Sequence, residues 1–172
     1  MSNSYSGLDA RDRATARRLF IKGVEVLMSH TAQLHYSQDM TLRWEGINDE
    51  IIPWTATGRL NGKYPRHGDC SSTGTYLMWL ALAHHFHLPD RVNGQRWKAG
   101  YTGTLIDHGK TVNDWSRLKV GDAIIYGPSR SNTTHVAWSI GGRRAFSHGS
   151  ESGPYLVDWR YRSDVVGIRR YI

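Results

Sequence analysis

The sequence predicts a single α+β domain in which helices of the first half pack on an antiparallel sheet built by the second half. Apolar residues recur at helical spacing from residue 8 to residue 30 and again after Cys70. From residue 122 onward the pattern changes to short apolar runs and period-two alternation between glycine turns, which indicates strands. Helices followed by antiparallel strands are typical of the α+β class.

Length and composition favour one domain over residues 1–172. The chain has 172 residues, 39% of them hydrophobic, and it contains no repeat, low-complexity stretch or linker. We divide it into an N-terminal part, residues 1–60, with a helix and an irregular segment, and a core, residues 61–172.

The single cysteine and the N-terminal residues bear on where the protein is made. One cysteine excludes an internal disulfide framework, so folding needs no oxidising compartment. Residues 1–13 lack the apolar stretch of a signal peptide, and no apolar run approaches the roughly 20 residues that span a bilayer. We therefore expect synthesis in the cytoplasm, no membrane insertion, and a route other than general secretion to any extracellular target.

The net charge of +7 predicts an anionic partner. Nucleic acid, acidic membrane surfaces and anionic cell-wall polymers would all fit this charge. The sequence contains no zinc-finger spacing, aromatic RNA-binding motif or basic duplex-reading helix, so we do not expect a nucleic-acid partner.

The first elements are a long helix and two less regular segments. Residues 8–30 are predicted to form a helix, with Ser6 or Asp9 as its N-cap. Residues 36–47 show no clean periodicity and are interpreted as an irregular packed segment. Residues 48–63 contain one proline and two glycines and are predicted to form a loop.

The second predicted helix begins at Cys70 and ends near His87–Pro89. A shorter helical piece is predicted from 96 to 107. Strands are predicted at residues 122–126, 135–140, 143–148 and 165–172, with Gly141-Gly142 as the turn of a hairpin.

Cys70 is the first residue to which the sequence gives a chemical role. In the first turn of a helix, unpaired backbone N–H groups and the helix dipole favour thiolate over thiol, and thiolate is the nucleophile. The alternative is a small buried core residue, which is the commoner fate of a lone intracellular cysteine. Position alone does not decide between the two.

The predicted hairpin brings two histidines together. With Gly141-Gly142 at the centre of the turn, outward pairing places His135 directly opposite His148. Their Cβ atoms would then be about 4.5 to 5.5 Å apart, close enough for one imidazole to orient the other. A cysteine nucleophile, a histidine base and a third residue that fixes the base form a general arrangement for acyl transfer. The alternative is a pair of ordinary strand histidines, and a register slip of one residue would place them on opposite faces.

Three short motifs follow one another along the chain. They are Asp69-Cys70-Ser71-Ser72 at a helix start, LKVGDAIIY at residues 118–126, and Thr134-His135-Val136-Ala137-Trp138. Their order resembles the NlpC-type cysteine peptidases and the related CHAP amidases, which are papain-like bacterial cell-wall hydrolases. The resemblance covers about residues 60 to 150. It implies a papain-like fold with Cys70 as nucleophile, His135 as general base and His148 as the residue that orients the base.

Longer stretches sharpen and also limit this resemblance. Residues 36–38, 43–47 and 147–154 look like the peptidase domains of endolysins from phages of actinobacteria. Ser72-Thr73, however, stands where the family often has a glycine after the cysteine pair. The third triad position also varies within the family, so Glu151 and Asp158 are alternatives to His148.

The implied reaction is hydrolysis of an amide in the peptide part of peptidoglycan, by a monomer that needs no cofactor or metal. The backbone N–H of Cys70 and a neighbouring N–H are expected to stabilise the oxyanion. Asp69 is expected to cap the helix, and Asp69, Ser71, Tyr64 and Trp138 are candidates for substrate binding, although Tyr64 and Trp138 could equally belong to the core.

A metal site and two other functions were weighed against this hydrolase. His84 lies 14 residues along the helix from Cys70, about 21 Å away, so the two cannot share an ion, and His84, His85 and His87 are interpreted as a polar helix end. The other functions are a non-catalytic wall- or nucleic-acid-binding module, and an amidase toxin or acyltransferase on the same fold. An endolysin predicts a neighbouring holin gene, and a delivered toxin predicts an immunity gene beside it.

Overall fold

The computed structural model describes residues 7–172, so the alternative cap Ser6 lies outside the described residues. The α-helices in this part are α1 (Ala10–Met28), α2 (Glu45–Asn48), α3 (Cys70–Met78) and α4 (Thr102–Asp107). The strands are β1 (His35–Tyr36), β2 (His67–Gly68), β3 (Lys110–Thr111), β4 (Ala123–Tyr126), β5 (His135–Gly141), β6 (Arg144–Ser147), β7 (Tyr155–Asp158) and β8 (Val165–Arg170).

The long helix α1 forms because its apolar stripe covers the helix that carries Cys70. Asp9 is the N-cap, as predicted, and its carboxylate accepts a hydrogen bond from the Asp12 N–H at 2.8 Å. Phe20 and Leu27 are fully buried, and α1 packs against α3 and its continuation. No helix within residues 7–172 is long and apolar enough to cross a membrane.

The helix that starts at Cys70 changes its winding along its length. α3 continues past Met78 as a π-helical stretch, Trp79–His84, and helical backbone persists to Phe86. The predicted end near His87 is confirmed. The predicted helix over 96–107 is wrong in its first half, because Trp97 and Gly100 take left-handed backbone and only Thr102–Asp107 is helical.

The main sheet is antiparallel and has the strand order β3-β8-β4-β5-β6-β7. All four predicted strands are present with ends shifted by one or two residues, and the sheet also contains β3 and β7, which were not predicted. Outside it, β1 and β2 form a short parallel pair, with His35 beside His67 and Tyr36 beside Gly68. The predicted α+β arrangement is therefore confirmed.

The two faces of this sheet bury different clusters. We call the face covered by α3 the helix face; it carries Val136, Trp138 and Phe146 in the main core. We call the opposite face the far face; it carries a smaller cluster that includes Tyr126 and Ala137. Side chains alternate between these faces along each strand, so register decides which face a residue joins.

The register of the β5–β6 hairpin differs from the prediction by one residue. Trp138 pairs with Phe146 and not with Ala145, and Gly141 pairs with Arg144. The central turn residues are therefore Gly142 and Arg143, both with positive φ (58° and 63°). Because three residues of β5 (139–141) lie opposite two of β6 (144–145), a bulge forms in β5 and shifts the pairing beyond it.

Candidate active site

Asp69 fixes the start of the helix that presents Cys70. Its Oδ1 accepts hydrogen bonds from the Ser71 N–H at 3.0 Å and the Ser72 N–H at 2.7 Å. Ser72 Oγ in turn accepts the Asp69 N–H at 2.9 Å, which completes a capping box. The predicted cap is confirmed, and Cys70 is the first residue of α3.

Arg43 holds Asp69 from behind, and sequence analysis missed it. Its Nε lies 2.9 Å from Asp69 Oδ2, and its Nη2 donates to Ser71 Oγ at 2.7 Å. All three side chains are buried, with Asp69 4% and Ser71 3% exposed. The geometry therefore does not support Asp69 and Ser71 as substrate-binding residues, since both are covered and already bonded. A lone arginine beside Trp44 in an apolar stretch was the only sequence feature that could have pointed to this ion pair.

The thiol of Cys70 lies at the end of the sheet where β5 begins. Its sulfur accepts hydrogen bonds from the backbone N–H groups of Val136 and Ser71. Burial, assisted by the Asp69 carboxylate, raises the pKa of Cys70 to about 12, although these N–H groups and Arg43 act in the opposite direction. At this site burial therefore opposes the effect of the helix start, because loss of water disfavours the thiolate.

The imidazole of His135 points to the far face and is enclosed there. Its ring stacks on Tyr126 with centroids 5.8 Å apart and meets the edge of Tyr161 at 6.4 Å. Its Nε2 lies 3.0 Å from Ser147 Oγ. A Cβ on Gly149 would lie 2.7 Å from the ring, so only glycine leaves room for it. Burial lowers the pKa of His135 to about 4, and the nearby Arg162 guanidinium lowers it further, so the ring is neutral at pH 7.

The imidazole of His148 points to the helix face. Its Nδ1 lies 2.9 Å from Thr73 Oγ1, one turn along α3 from Cys70, and its ring meets the edge of Tyr36 at 5.9 Å. The residue is 1% exposed and its Nε2 has no hydrogen-bond partner. Burial also lowers the pKa of His148 to about 4.

The two histidines therefore do not face each other. The prediction that His148 lies directly opposite His135 is wrong, because the bulge in β5 moves the pairing by one residue and side chains alternate with period two. Each is linked to Cys70 through a different residue. His148 contacts Thr73, which follows Cys70 by one turn of α3, and His135 precedes Val136, whose N–H bonds the sulfur.

The other candidates for the third residue point elsewhere. Asp158 pairs with Arg144 near the hairpin turn and lies 3.9 Å from Arg143. Glu151 is exposed. The residue that contacts the His135 ring nitrogen is Ser147, which the sequence did not single out because a serine in a strand carries no distinctive signal.

Two tyrosines that were not predicted complete the site. Tyr36 and Tyr161 both lie within electrostatic range of Cys70, and burial raises the pKa of each, so both hydroxyls are protonated at neutral pH. Tyr36 Oη accepts a hydrogen bond from Gln38 Nε2 at 2.8 Å. The signal that could have found Tyr36 was its place in the irregular segment, next to polar residues and before the cysteine loop.

Tyr64 and Trp138, whose roles were left open, lie in different surroundings. Trp138 is fully buried on the helix face, and its Nε1 donates to the Cys70 carbonyl at 3.0 Å. It is a core residue that anchors the start of α3. Tyr64 stacks on His30 with centroids 3.9 Å apart, and the Arg66 guanidinium lies 4.9 Å from its ring.

Comparison with solved structures gives the same fold repeatedly. RipB, a peptidoglycan hydrolase from Mycobacterium tuberculosis, matches all of this chain and 72% of its own with a TM-score of 0.55 and 18% identity. NlpC1 from Trichomonas vaginalis matches 99% of this chain with a TM-score of 0.55 and 16% identity. RipD from M. tuberculosis, described as a non-catalytic NlpC/p60 domain protein adapted to peptidoglycan binding, matches 91% of this chain and 98% of its own, with a TM-score of 0.50 and 17% identity.

These likenesses establish the fold and no more. The chain has the α+β papain-like fold of NlpC/P60 domains, as the three motifs predicted. It spans about half the length of NlpC1, 48%. No protein-family model matches the sequence. No curated protein matches it either.

Proposed function

We propose that this protein is a peptidoglycan hydrolase that cleaves an amide in the peptide part of the bacterial cell wall, with Cys70 as nucleophile and His135 as general base. One observation carries the proposal most directly. The only cysteine stands at the capped start of α3, with its sulfur bonded to the N–H of Val136, the residue that follows His135. That arrangement occurs within a fold shared with RipB, a peptidoglycan hydrolase.

In the proposed mechanism both groups start uncharged. His135 accepts the thiol proton as the Cys70 sulfur attacks the amide carbonyl, so the buried thiolate never persists as a separate species. The imidazolium then protonates the leaving amine, and an acyl-enzyme remains on sulfur. Water, deprotonated by His135, attacks the thioester and releases the acid and the thiol. Neutral starting groups are consistent with the raised pKa of Cys70 and the lowered pKa of His135.

The oxyanion has fewer backbone donors than the sequence led us to expect. The N–H groups of Ser71 and Ser72 bond the Asp69 carboxylate, and the Thr73 N–H bonds the Asp69 carbonyl. The proposal therefore uses the Cys70 N–H, with the protonated Tyr36 hydroxyl as a side-chain donor.

A second candidate function is a non-catalytic peptidoglycan-binding module. The observation that favours it is the likeness to RipD, which has the same fold and is described as non-catalytic. The basic charge would suit binding to an anionic wall polymer. A binding module does not need a cysteine beside the start of a histidine-bearing strand, so we rank it second.

The test is digestion of purified peptidoglycan by the wild type and by Cys70→Ala. We expect the wild type to release new free amines and Cys70→Ala to release none, while both bind the wall and show the same circular dichroism spectrum. Mass spectrometry of the released muropeptides names the bond. Undiminished amine release by Cys70→Ala would end the cysteine-peptidase proposal, and binding without release by the wild type would favour the binding module.

The biological setting is a finer proposal that rests on sequence alone. We assign the protein to cell-wall lysis by an actinobacterial phage or prophage, because residues 36–38, 43–47 and 147–154 resemble such endolysins. It would act at the cell wall after cytoplasmic synthesis, with a holin as its route. An immunity gene beside its own would favour a delivered toxin instead.

A further inference from the structure

The residue that contacts the distal nitrogen of His135 is a serine. Ser147 Oγ lies 3.0 Å from His135 Nε2, and Ser147 is fully buried at the end of β6. The Tyr161 hydroxyl interacts with the same Ser147 side chain. Three groups therefore form a chain: tyrosine hydroxyl, serine hydroxyl, imidazole.

We propose that Ser147, oriented by Tyr161, is the positioning residue that holds His135 as the base of the reaction, in the place where the sequence led us to expect His148. This inference rests on the proposed hydrolase function. It assigns the third position to a neutral hydroxyl, which orients the ring and selects its tautomer but brings no charge to the imidazolium.

The surroundings of His135 restrict its ring to one plane and one orientation. Tyr126 lies beneath the ring at 5.8 Å, and Tyr161 closes one edge at 6.4 Å. Gly149 lies against Cε1 and Nδ1, at a place where any Cβ would collide. With the ring thus enclosed, the hydrogen bond at Nε2 decides which ring nitrogen carries the proton.

In this proposal Ser147 donates to Tyr161, which sets the direction of the hydrogen bond between Ser147 and His135. A serine hydroxyl has one proton to donate and two lone pairs to accept with. When Ser147 donates its proton to the Tyr161 oxygen, a lone pair of Ser147 faces His135, and Nε2 must carry the imidazole proton. Nδ1 is then left with the lone pair that a general base needs. During attack the thiol proton moves to Nδ1, while the Nε2–H bond to Ser147 stays in place.

His148 does not have access to this position. Its ring lies on the helix face, where Nδ1 faces Thr73, whereas His135 and Ser147 lie on the far face. The sheet backbone separates the two imidazoles, so His148 cannot donate to or accept from His135 directly.

The direct test is the tautomer of His135, measured by long-range ¹H–¹⁵N correlation NMR on protein with labelled histidines. The His135 signals are assigned by their loss in His135→Gln. At pH 7 we expect protonated Nε2 and unprotonated Nδ1 in the wild type. Ser147→Ala should change this to a tautomer mixture, and Ser147→Thr, which keeps the hydroxyl, should retain it. A wild-type ring protonated on Nδ1, or an unchanged tautomer in Ser147→Ala, would overturn the inference.

Kinetics supply a second readout and separate this inference from the function on which it rests. We expect Ser147→Ala to lower kcat about tenfold with KM unchanged and to shift the acidic limb of the pH–kcat profile, as for loss of one hydrogen bond to the base. Ser139→Ala is the matched control, because Ser139 is equally buried and lies on the far face away from His135. If His148→Gln moves the tautomer and the acidic limb while Ser147→Ala does not, the inference fails but the hydrolase stands. If Cys70→Ala stays active, the hydrolase mechanism fails, and the NMR result still decides the tautomer.

Discussion

The two faces of the central sheet place their histidines in different surroundings at the same end of the molecule. On the helix face, His148 is packed against α3, bonded to Thr73 through one nitrogen and left unpaired at the other. On the far face, His135 is surrounded by two tyrosines, a serine and a glycine, and its Nε2 is bonded. Both rings are neutral at pH 7 because both are buried. Burial thus lowers the pKa of both rings alike, whereas the register decides which hydroxyl each ring meets, Thr73 for His148 and Ser147 for His135.

The largest expected effect separates the two histidines by activity. His135→Ala should lower kcat roughly 10³-fold, because general-base catalysis contributes on the order of 10²–10⁴. His148→Gln should lower kcat less than about tenfold, because it keeps a polar group near Thr73. Amine release from peptidoglycan measures both. The reverse order would make His148, the ring packed against α3, the base.

Glycine-to-alanine substitutions on the two faces should separate stability from activity. An alanine Cβ at Gly74 would lie 1.9 Å from the indole of Trp138, which cannot move in a filled core. Gly74→Ala should therefore lower the free energy of unfolding by about 3 kcal/mol. At Gly149 the Cβ would press on the His135 ring at 2.7 Å. Gly149→Ala should lower the free energy of unfolding by about 1 kcal/mol, less than Gly74→Ala, and lower kcat at least about tenfold by moving the base.

Urea denaturation measures the stability of Gly74→Ala and Gly149→Ala, and steady-state kinetics measure their kcat. Gly142→Ala is the control. Gly142 lies at an open turn position with φ of 58°, so its substitution strains the backbone but creates no steric contact. Equal losses of stability in Gly74→Ala and Gly149→Ala would mean that both glycines serve packing only.

Both faces should contribute to a loss of stability in acid. Each of the two histidines has a folded-state pKa of about 4, below its usual value of 6.5. Between pH 6.5 and 4 the unfolded chain therefore binds more protons than the folded chain, and the free energy of unfolding falls as the pH is lowered. The fall is at most about 3 kcal/mol for each histidine. Urea denaturation at pH 7, 6 and 5 measures the free energy of unfolding. With falling pH this free energy should decrease less steeply in His135→Gln and in His148→Gln than in the wild type, and least steeply in the double variant. If the free energy of unfolding of the double variant decreases with pH as steeply as that of the wild type, other groups cause the acid sensitivity.

The smallest expected effect concerns the Cys70 thiol, which lies at the end of the sheet where β5 begins. Because burial raises the pKa of Cys70 to about 12, iodoacetamide should alkylate it at pH 7 at least about tenfold more slowly than free cysteine. The rate should still be rising above pH 9. The protein unfolded in urea is the control and should react at the rate of free cysteine. Fast alkylation with a plateau below pH 7 would instead indicate a resting thiolate–imidazolium pair.

The sequence predicted what local interactions decide. The spacing of apolar residues located α1, α3 and four strands of the sheet, and the position of Asp69 predicted the cap of the helix that begins at Cys70. It did not predict β7, since residues 155–158 alternate too briefly between turns. It also did not predict Arg43 as the partner of Asp69, because the two residues are 26 positions apart in the sequence and meet only in the folded structure.

By itself the sequence determined the class of the fold, the capped cysteine at a helix start and the histidine at a strand start, because each depends on neighbours along the chain. Only the tertiary structure decided which face each histidine joins. The turn at Gly142-Arg143 and the bulge before it move the register by one residue, and in a strand with period two that exchanges the faces. A turn at Gly141-Gly142 is equally permitted by local preference, so packing of Trp138 and Phe146 against α3 made the choice. The same packing buried Cys70 and left Ser147, rather than His148, beside the ring of His135.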